Sequence, residues 1–198
     1  MQPSDDALIE AHRAGDPRAF EELVRRHGDR LLGFLLRLGR DRHEAEDQFQ
    51  ETFRRVHERA DSYRGGGRFA GWLYAIAANV ARDGVRRRQR AKKVLSLDGP
   101  AAQLAGAADS AGAVLEDHRA APPWRRIAQD EQRQQVRRAL AELPERQRTT
   151  LVLAYYQGLS YAEVAGVLGC SIGTVKTQMY RAVRALAKRL PAPQTRTS

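Results

Sequence analysis

Positive charge is the most concentrated chemical feature of this sequence. Guanidinium and ammonium groups crowd one stretch of it, at Arg82, Arg86, Arg87, Arg88, Arg90, Lys92 and Lys93. Such groups bind phosphates, and each neutralised phosphate releases counterions and so adds affinity for a nucleic acid. The whole chain carries a formal net charge of +10. We therefore expect an anionic partner, with nucleic acid ahead of an acidic membrane surface.

A second set of polar and basic residues lies on a pair of short helices expected near the C-terminus. Ser160 and Glu163 have the spacing of a capping box, and Gly169 can adopt the left-handed conformation that ends a helix. Ser171 can cap the next helix. Its apolar face, which we expect to point inward, consists of Ile172, Val175, Met179 and Val183. A short helix, a turn with glycine and a second helix are typical of a helix-turn-helix.

The outward face of that second helix carries side chains suited to a DNA major groove. They are Thr174, Lys176, Thr177, Gln178, Tyr180 and Arg181. Lysine and arginine pair with phosphates or guanine edges, glutamine with adenine, and a threonine methyl group can contact thymine. An ordinary helical hairpin with a solvated charged face is the alternative interpretation of the same pattern.

Two carboxylates share a face of an earlier helix. Asp47 and Glu51 are four residues apart, so both could pair with a basic partner helix. On the residues alone, a solvated acidic face is the alternative. A di-metal helical bundle would need repeated Glu-x-x-His motifs, and none occurs. The single cysteine, Cys170, allows neither an internal disulfide nor a cysteine-based metal cluster. The sequence predicts no enzyme, no cofactor and no metal site.

Helical periodicity dominates the chain, and no period-2 run indicates a strand, so the predicted fold class is all-α. Ser4, Asp5 and Asp6 are expected to cap a first helix that Gly15 ends. Asp16 and Pro17 open a second helix, which continues to Gly39. Further helices are expected from about His43 to Ala60 and from Phe69 to Arg90.

The composition changes after Lys93, where Ala, Gly, Asp and Pro replace large apolar residues. We predict two small helical domains, at 1–94 and 127–190, the second of which contains the helix-turn-helix. A flexible linker would join them over 95–126, and 191–198 would be a disordered tail. No run approaches the roughly 18 apolar residues that span a bilayer, and the acidic start MQPSDDALIE is unlike a signal peptide. We expect a cytoplasmic protein without membrane insertion.

Two long segments resemble a known family. The segment LPERQRTTLVLAYYQGLSYAEVAGVLGCSIGTVKTQMYRAVRAL resembles region 4 of bacterial sigma-70-family factors, especially the extracytoplasmic-function (ECF) group. The segment AEDQFQETFRRVHERADSYRGGGRFAGWLYAIAANVARDGVRRR is similar to region 2 of the same family. The expected linker is too short and too poor in apolar residues for the extra regions of larger members, which places the chain in the two-domain ECF class.

The resemblance implies roles for particular residues. Asp47, Gln50 and Glu51 would contact the clamp helices of the polymerase largest subunit, although Gln48 stands where the family generally has an apolar residue. The loop from Tyr63 to Phe69 would receive a flipped base, and Tyr63 would offer a ring for stacking. The residues implied in −10 contacts are Tyr63, Asn79, Arg82, Asp83, Arg86 and Arg87. The outward face at Thr174–Arg181 would read the −35 element.

The function implied by the resemblance is that of a sigma factor. It would bind core RNA polymerase, direct it to promoter DNA through the −35 and −10 elements, and help to melt the −10 element. Control by an anti-sigma factor is also implied. Two other functions stay open on the residues alone: a stand-alone helix-turn-helix regulator, and a helical interaction module whose basic faces bind RNA or a membrane.

Overall fold

The computed structural model describes residues 2–39, 41–95 and 134–190, and this part of the chain is helical throughout. The helices are α1 (Asp5–Arg13), α2 (Pro17–Arg37), α3 (Arg42–Glu58), α4 (Phe69–Leu95), α5 (134–141), α6 (Glu145–Leu151), α7 (Tyr161–Leu168) and α8 (Ile172–Ala187). A 3₁₀ turn at Ala60–Ser62 follows α3, and a π-helical turn at Val152–Tyr156 follows α6. The all-α prediction is confirmed. Apart from Leu95, the expected linker lies outside the described residues, as do 127–133 and the tail 191–198.

Local sequence sets where the first helices begin and end. The Ser4 hydroxyl accepts a hydrogen bond from the Ala7 N–H at 3.2 Å, and Asp16 accepts one from Arg18 at 2.9 Å ahead of Pro17. These side chains satisfy backbone donors that have no partner inside a helix. The predicted starts of α1 and α2 are thereby confirmed.

The core of the N-terminal domain forms where α2, α3 and α4 pack against one another. Leu35 of α2, Val56 of α3, and Leu73 and Val80 of α4 are fully or almost fully buried. Burying each such side chain stabilises the fold by about 1.5–3 kcal/mol. The opposite faces of α3 and α4 are thus held rigidly while they remain open to solvent.

The C-terminal helices form the expected helix-turn-helix. Ser160 and Glu163 make the reciprocal capping box that opens α7, and Gly169 ends α7 with a φ of 62°. Ser171 then caps α8 by accepting a hydrogen bond from the Thr174 N–H at 3.1 Å. The start and end of α7 and the start of α8 therefore have the local causes that the sequence indicates.

The predicted inward face of α8 is partly wrong. Val175 is buried and Met179 is half-buried, but Ile172 and Val183 are 46% and 53% exposed. Ala182 occupies the second fully buried position instead. Because successive helix residues are rotated by about 100°, Val183 points away from the contact that Ala182 makes. The small alanine lets α8 approach α6, with which it packs.

The two domains also contact each other directly, which the sequence did not lead us to expect. Phe34 and Tyr74 share one apolar core with Val152 and Leu153 of the π-helical turn. Arg30 donates a hydrogen bond to the backbone carbonyl oxygen of Gln157 at 2.9 Å. The Tyr74 hydroxyl, on a side chain that is 2% exposed, donates one to Gln157 Oε1 at 2.5 Å.

The Tyr74–Gln157 bond gives a test of this contact in solution. Tyr74→Phe should lower the free energy of unfolding by about 1–3 kcal/mol, because it leaves a buried amide oxygen without its donor. Tyr155→Phe is the matched control. The Tyr155 side chain is 77% exposed. Removal of its hydroxyl should therefore change the free energy of unfolding by less than about 0.5 kcal/mol. Urea unfolding of the full chain measures both. Equal effects would mean that the two domains are not packed in this way.

Candidate nucleic-acid interface

The outward face of α8 has the exposure that contact with DNA requires. Lys176, Thr177, Tyr180 and Arg181 are exposed, while Thr174 and Gln178 are half-buried. The Thr177 hydroxyl donates to the Gly173 carbonyl at 3.0 Å, so it is occupied within the helix. Neither Lys176 nor Arg181 forms an ion pair within the described residues. Both cations are therefore available to an external anion.

A groove of about 780 Å³ runs beside this face. Its lining includes Thr177, Tyr180, Arg181, Arg184, Lys188 and Arg189. The Arg184 guanidinium lies 5.7 Å from the centroid of the Tyr180 ring, which helps to hold it along the groove. Arg184 and Lys188 extend the basic surface beyond the residues assigned from the sequence. Their spacing of three and seven residues from Arg181 was the available signal, since it places them on one helical face.

The three α3 residues implied in polymerase binding differ in their surroundings. Asp47 and Gln50 are exposed. Glu51 is half-buried, and its carboxylate accepts hydrogen bonds at 2.7 Å from both Arg54 and Arg55. The hydrogen bond from Arg54, supported by that from Arg55, lowers the pKa of Glu51 to about 2. Glu51 is thus already paired within the protein, because its own helix supplies two arginines within reach.

Gln48 is buried between α3 and α4, at 6% exposure, although it is polar. Its amide nitrogen donates to Glu44 at 2.8 Å. Space for it exists because Gly84 faces it from α4: a Cβ atom at position 84 would lie only 3.0 Å from Gln48 Nε2. The unusual residue at position 48 is accommodated by the missing side chain at position 84.

The residues expected to contact the −10 element lie along the exposed side of α4. Asn79 is exposed, and its amide oxygen accepts a hydrogen bond from Arg82 at 3.1 Å. Arg86 and Arg87 are exposed one turn further on. Asp83 instead pairs with Arg55 of α3 at 3.2 Å. Four of these residues share a solvent-facing surface, and Asp83 fixes that surface to α3.

Tyr63 is placed differently from the expectation. Its side chain is 6% exposed, and its ring lies against Phe69 and Trp72 with centroid separations of 5.9 and 5.2 Å. Burial, together with a hydrogen bond to Asp6, raises the pKa of its hydroxyl to about 12. The expectation of an open ring is wrong in this structure, because the ring anchors the loop from beneath.

Comparisons with known proteins identify two family regions in this chain. Residues 23–91 match the family model of sigma-70 region 2, and residues 133–186 match that of sigma-70 region 4. The chain is 34% identical over 189 residues to the RNA polymerase sigma-H factor of Pseudomonas aeruginosa, a match that covers 96% of this chain and 95% of that protein. It is 32% identical over 185 residues to the ECF RNA polymerase sigma-E factor of Escherichia coli K12, covering 93% of each.

Solved structures are similar along most of the chain. The structure of CnrH in complex with the cytosolic domain of CnrY has a TM-score of 0.63 and 25% identity, and the match covers 94% of this chain and 96% of that one. The sigma factor RpoE of Bartonella quintana, in complex with the anti-sigma factor NepR, has a TM-score of 0.65 at 24% identity, with coverage of 88% and 98%. The latter likeness shows a common fold.

A helical body with an acidic face, two basic faces and both matching regions defines a sigma-70-type transcription factor. The chain belongs to the sigma-70 family, within its ECF group, and is a non-enzymatic sigma factor for transcription initiation. Regions 2 and 4 bind the −10 and −35 promoter elements. A stand-alone helix-turn-helix regulator does not account for the region 2 match. Within the described residues, no helix combines the length and the hydropathy of a membrane span.

The difference between the exposed Asp47 and the paired Glu51 leads to a prediction about polymerase binding. Asp47→Ala should weaken binding of core polymerase and leave the unfolding free energy unchanged, because its carboxylate is exposed. Glu51→Ala should weaken binding and also cost about 1 kcal/mol or less of stability, since it removes a partly buried partner of Arg54 and Arg55. Fluorescence titration with core enzyme and urea unfolding measure the two quantities.

Glu21→Ala is the control for this pair. It removes an exposed acid of α2, outside the docking face of α3. Its affinity for core polymerase should equal that of the parent. If Asp47→Ala and Glu21→Ala bind core polymerase alike, Asp47 has no part in docking.

Proposed function

We propose that three surfaces divide the work of this sigma factor. The acidic face of α3, formed by Asp47, Gln50 and Glu51, binds core RNA polymerase. The exposed side of α4, with the loop before it, binds the −10 element, and the outward face of α8 binds the −35 element. The observation that carries the proposal is the joining of α3 to α4 through Arg55–Asp83 and Glu44–Arg88. Polymerase docking on α3 would therefore set the position of the −10 surface.

Docking on α3 relies on charge and hydrogen bonding. Asp47 offers a carboxylate with only a distant contact, 4.0 Å to His43. Gln50 adds an exposed amide, and Glu51 keeps a negative charge over the whole physiological range because its pKa is depressed. A basic helical partner would complement this face.

The −10 surface combines polar base contacts with phosphate binding. Asn79 can donate and accept hydrogen bonds at a base edge, and its pairing with Arg82 orients the amide. Arg86 and Arg87, further along α4, would bind phosphates of the strand beside it. The loop from Tyr63 to Phe69 would receive an unstacked base above the buried Tyr63 ring. Asp83 would act by holding α4 against α3.

The −35 surface lies across the exposed face of α8. Arg181 would read a base edge, because its planar guanidinium can donate two parallel hydrogen bonds to guanine. Lys176, a compact point charge, would bind mainly a phosphate. Gln178, Thr174, Thr177 and Tyr180 complete the face, and Arg184 and Lys188 in the adjoining groove would contact the backbone of the same site.

Promoter binding would require the two domains to separate. The −35 and −10 elements are about 25 base pairs apart, which is ~85 Å along straight DNA. A compact body of the size described here is only ~40 Å across, so the packed arrangement reaches one element at a time. The expected linker over 95–126 could extend to ~100 Å, which is enough to span the two sites. Once one domain is bound to its element, the linker keeps the other at a high effective concentration near the second element, which raises the overall affinity for the promoter.

Control by an anti-sigma factor and a cytoplasmic location complete the proposal. The structures of CnrH with CnrY and of RpoE with NepR are complexes with a second protein. The match to CnrH covers 94% of this chain. This similarity supports a protein partner that binds and controls this sigma factor. The cytoplasm is where a sigma factor meets polymerase and DNA.

The −10 assignment predicts a selective defect. Asn79→Ala should lower transcription by the reconstituted holoenzyme from a duplex promoter by about 5- to 150-fold, because one base contact is worth about 1–3 kcal/mol. Binding of the free sigma factor to a −35-only duplex should stay unchanged. The control is Gln89→Ala, an exposed polar residue of α4 that lies ten residues, or about 80° around the helix, away from Asn79. Equal losses in both assays would show that Asn79 serves the fold.

The assignment of α8 to the −35 element predicts different effects for the loss of a base contact and the loss of a phosphate contact. Arg181→Ala should cost about 1–3 kcal/mol and relax preference at one base pair. Lys176→Ala should weaken binding to specific and scrambled duplexes alike and reduce the salt slope by about one unit. Filter binding across a salt series, with Glu163→Gln as the control for altered charge on α7, distinguishes them. If both variants bind like the parent, α8 is not the reading helix.

A further inference from the structure

A carboxylate on α1, outside all the surfaces described above, holds the loop between Tyr63 and Phe69. Asp6 Oδ1 accepts a hydrogen bond from the Tyr63 hydroxyl at 2.6 Å, and Oδ2 accepts one from the Gly67 N–H at 2.8 Å. The Tyr63 oxygen in turn accepts a bond from the Arg68 N–H at 3.1 Å. One side chain thus connects the beginning of the loop to its end.

The loop needs an external anchor because of its composition. Gly65, Gly66 and Gly67 follow one another with φ values of 70°, 81° and 68°. This left-handed backbone suits glycine, but three successive glycines lose much conformational entropy when ordered and contribute no side chains to hold themselves in place. The shape of the loop is therefore set by what contacts it: the Tyr63 ring below and the Asp6 carboxylate at its side.

Helix α1 is itself fixed against the same loop and against α2. Arg13, at the other end of α1, donates hydrogen bonds to the carbonyl oxygens of Ala60 at 3.0 Å and Tyr63 at 2.7 Å. Asp5 contacts Arg26 and His27 of α2 at 3.1 and 2.8 Å. Asp6 therefore reaches the loop from a helix that is held at both ends.

We propose that Asp6 is a positioning residue for −10 recognition, which fixes the glycine-rich loop in the conformation that receives an unstacked base. This inference rests on the proposed function of the loop. Asp6 would not contact the base. Its effect is to order the loop before DNA arrives, so that base binding does not have to supply the cost of ordering three glycines.

The test measures how much a base contributes to binding with and without Asp6. Run-off transcription of genomic DNA by the reconstituted holoenzyme first identifies a strong promoter, and its non-template −10 strand becomes the single-stranded probe. Each base of the probe is replaced in turn by an abasic site. The parent holoenzyme should lose about tenfold in affinity at the position that the loop accepts, as expected for a bound, stacked base.

With Asp6→Ala, the intact and abasic probes should bind within twofold of each other, at the affinity of the parent for the abasic probe. Tyr63→Phe keeps the ring but removes the hydroxyl that Asp6 accepts from, so it should show a smaller loss of the same kind. Glu10→Ala is the matched control. It removes an exposed acid of α1 whose carboxylate, within the described residues, takes no part in the contacts that hold this helix or the loop, and it should keep the tenfold difference.

The possible failures are distinguishable. If no abasic position weakens the parent, the loop does not receive a base and the proposed function of the loop is wrong. If the parent discriminates and Asp6→Ala discriminates equally, the loop function stands and the positioning role of Asp6 is overturned. If Glu10→Ala loses the discrimination to the same extent, the effect comes from the negative charge of α1 in general, and this too overturns the specific role of Asp6.

Discussion

The burial of one face of α4 is the constraint on which the other features depend. Leu73, Tyr74 and Val80 are buried, and α4 packs against α2 and α3 of its own domain and against α7 of the other. This packing leaves one side of α4 open to solvent in the described structure. That side carries Asn79, Arg82, Arg86 and Arg87. The same packing fixes α3, so that the acidic and basic surfaces of region 2 keep a constant relation.

Much of the fold follows from short-range signals in the sequence. The starts of α1, α2, α7 and α8 coincide with the predicted caps, because a capping side chain satisfies donors only a few residues away. The family resemblance identified both regions from two continuous segments of the sequence. Predictions that needed only the sequence neighbourhood of a residue were therefore the dependable ones.

Other features depend on contacts between residues far apart in the chain, and periodicity carries no information about these. The Tyr63 hydroxyl bonds to Asp6, 57 residues earlier, and the place of Gln48 depends on Gly84. The bond between Tyr74 and Gln157 joins residues 83 positions apart. The exposure of Val183 reflects the choice of Ala182 as the contact with α6. A single sequence shows that such residues are present but does not show which of them meet.

Measuring the distance between the two domains is the most direct test of whether they separate when the sigma factor binds a promoter. Fluorophores at Glu21→Cys and Ala162→Cys, both exposed, in a Cys170→Ser chain that keeps its transcription activity, would report that distance by energy transfer. We expect it to lie within ~40 Å in the free protein and to rise towards ~85 Å in the holoenzyme bound to a promoter. An unchanged short distance in an actively transcribing complex would contradict recognition of the two elements by separated domains.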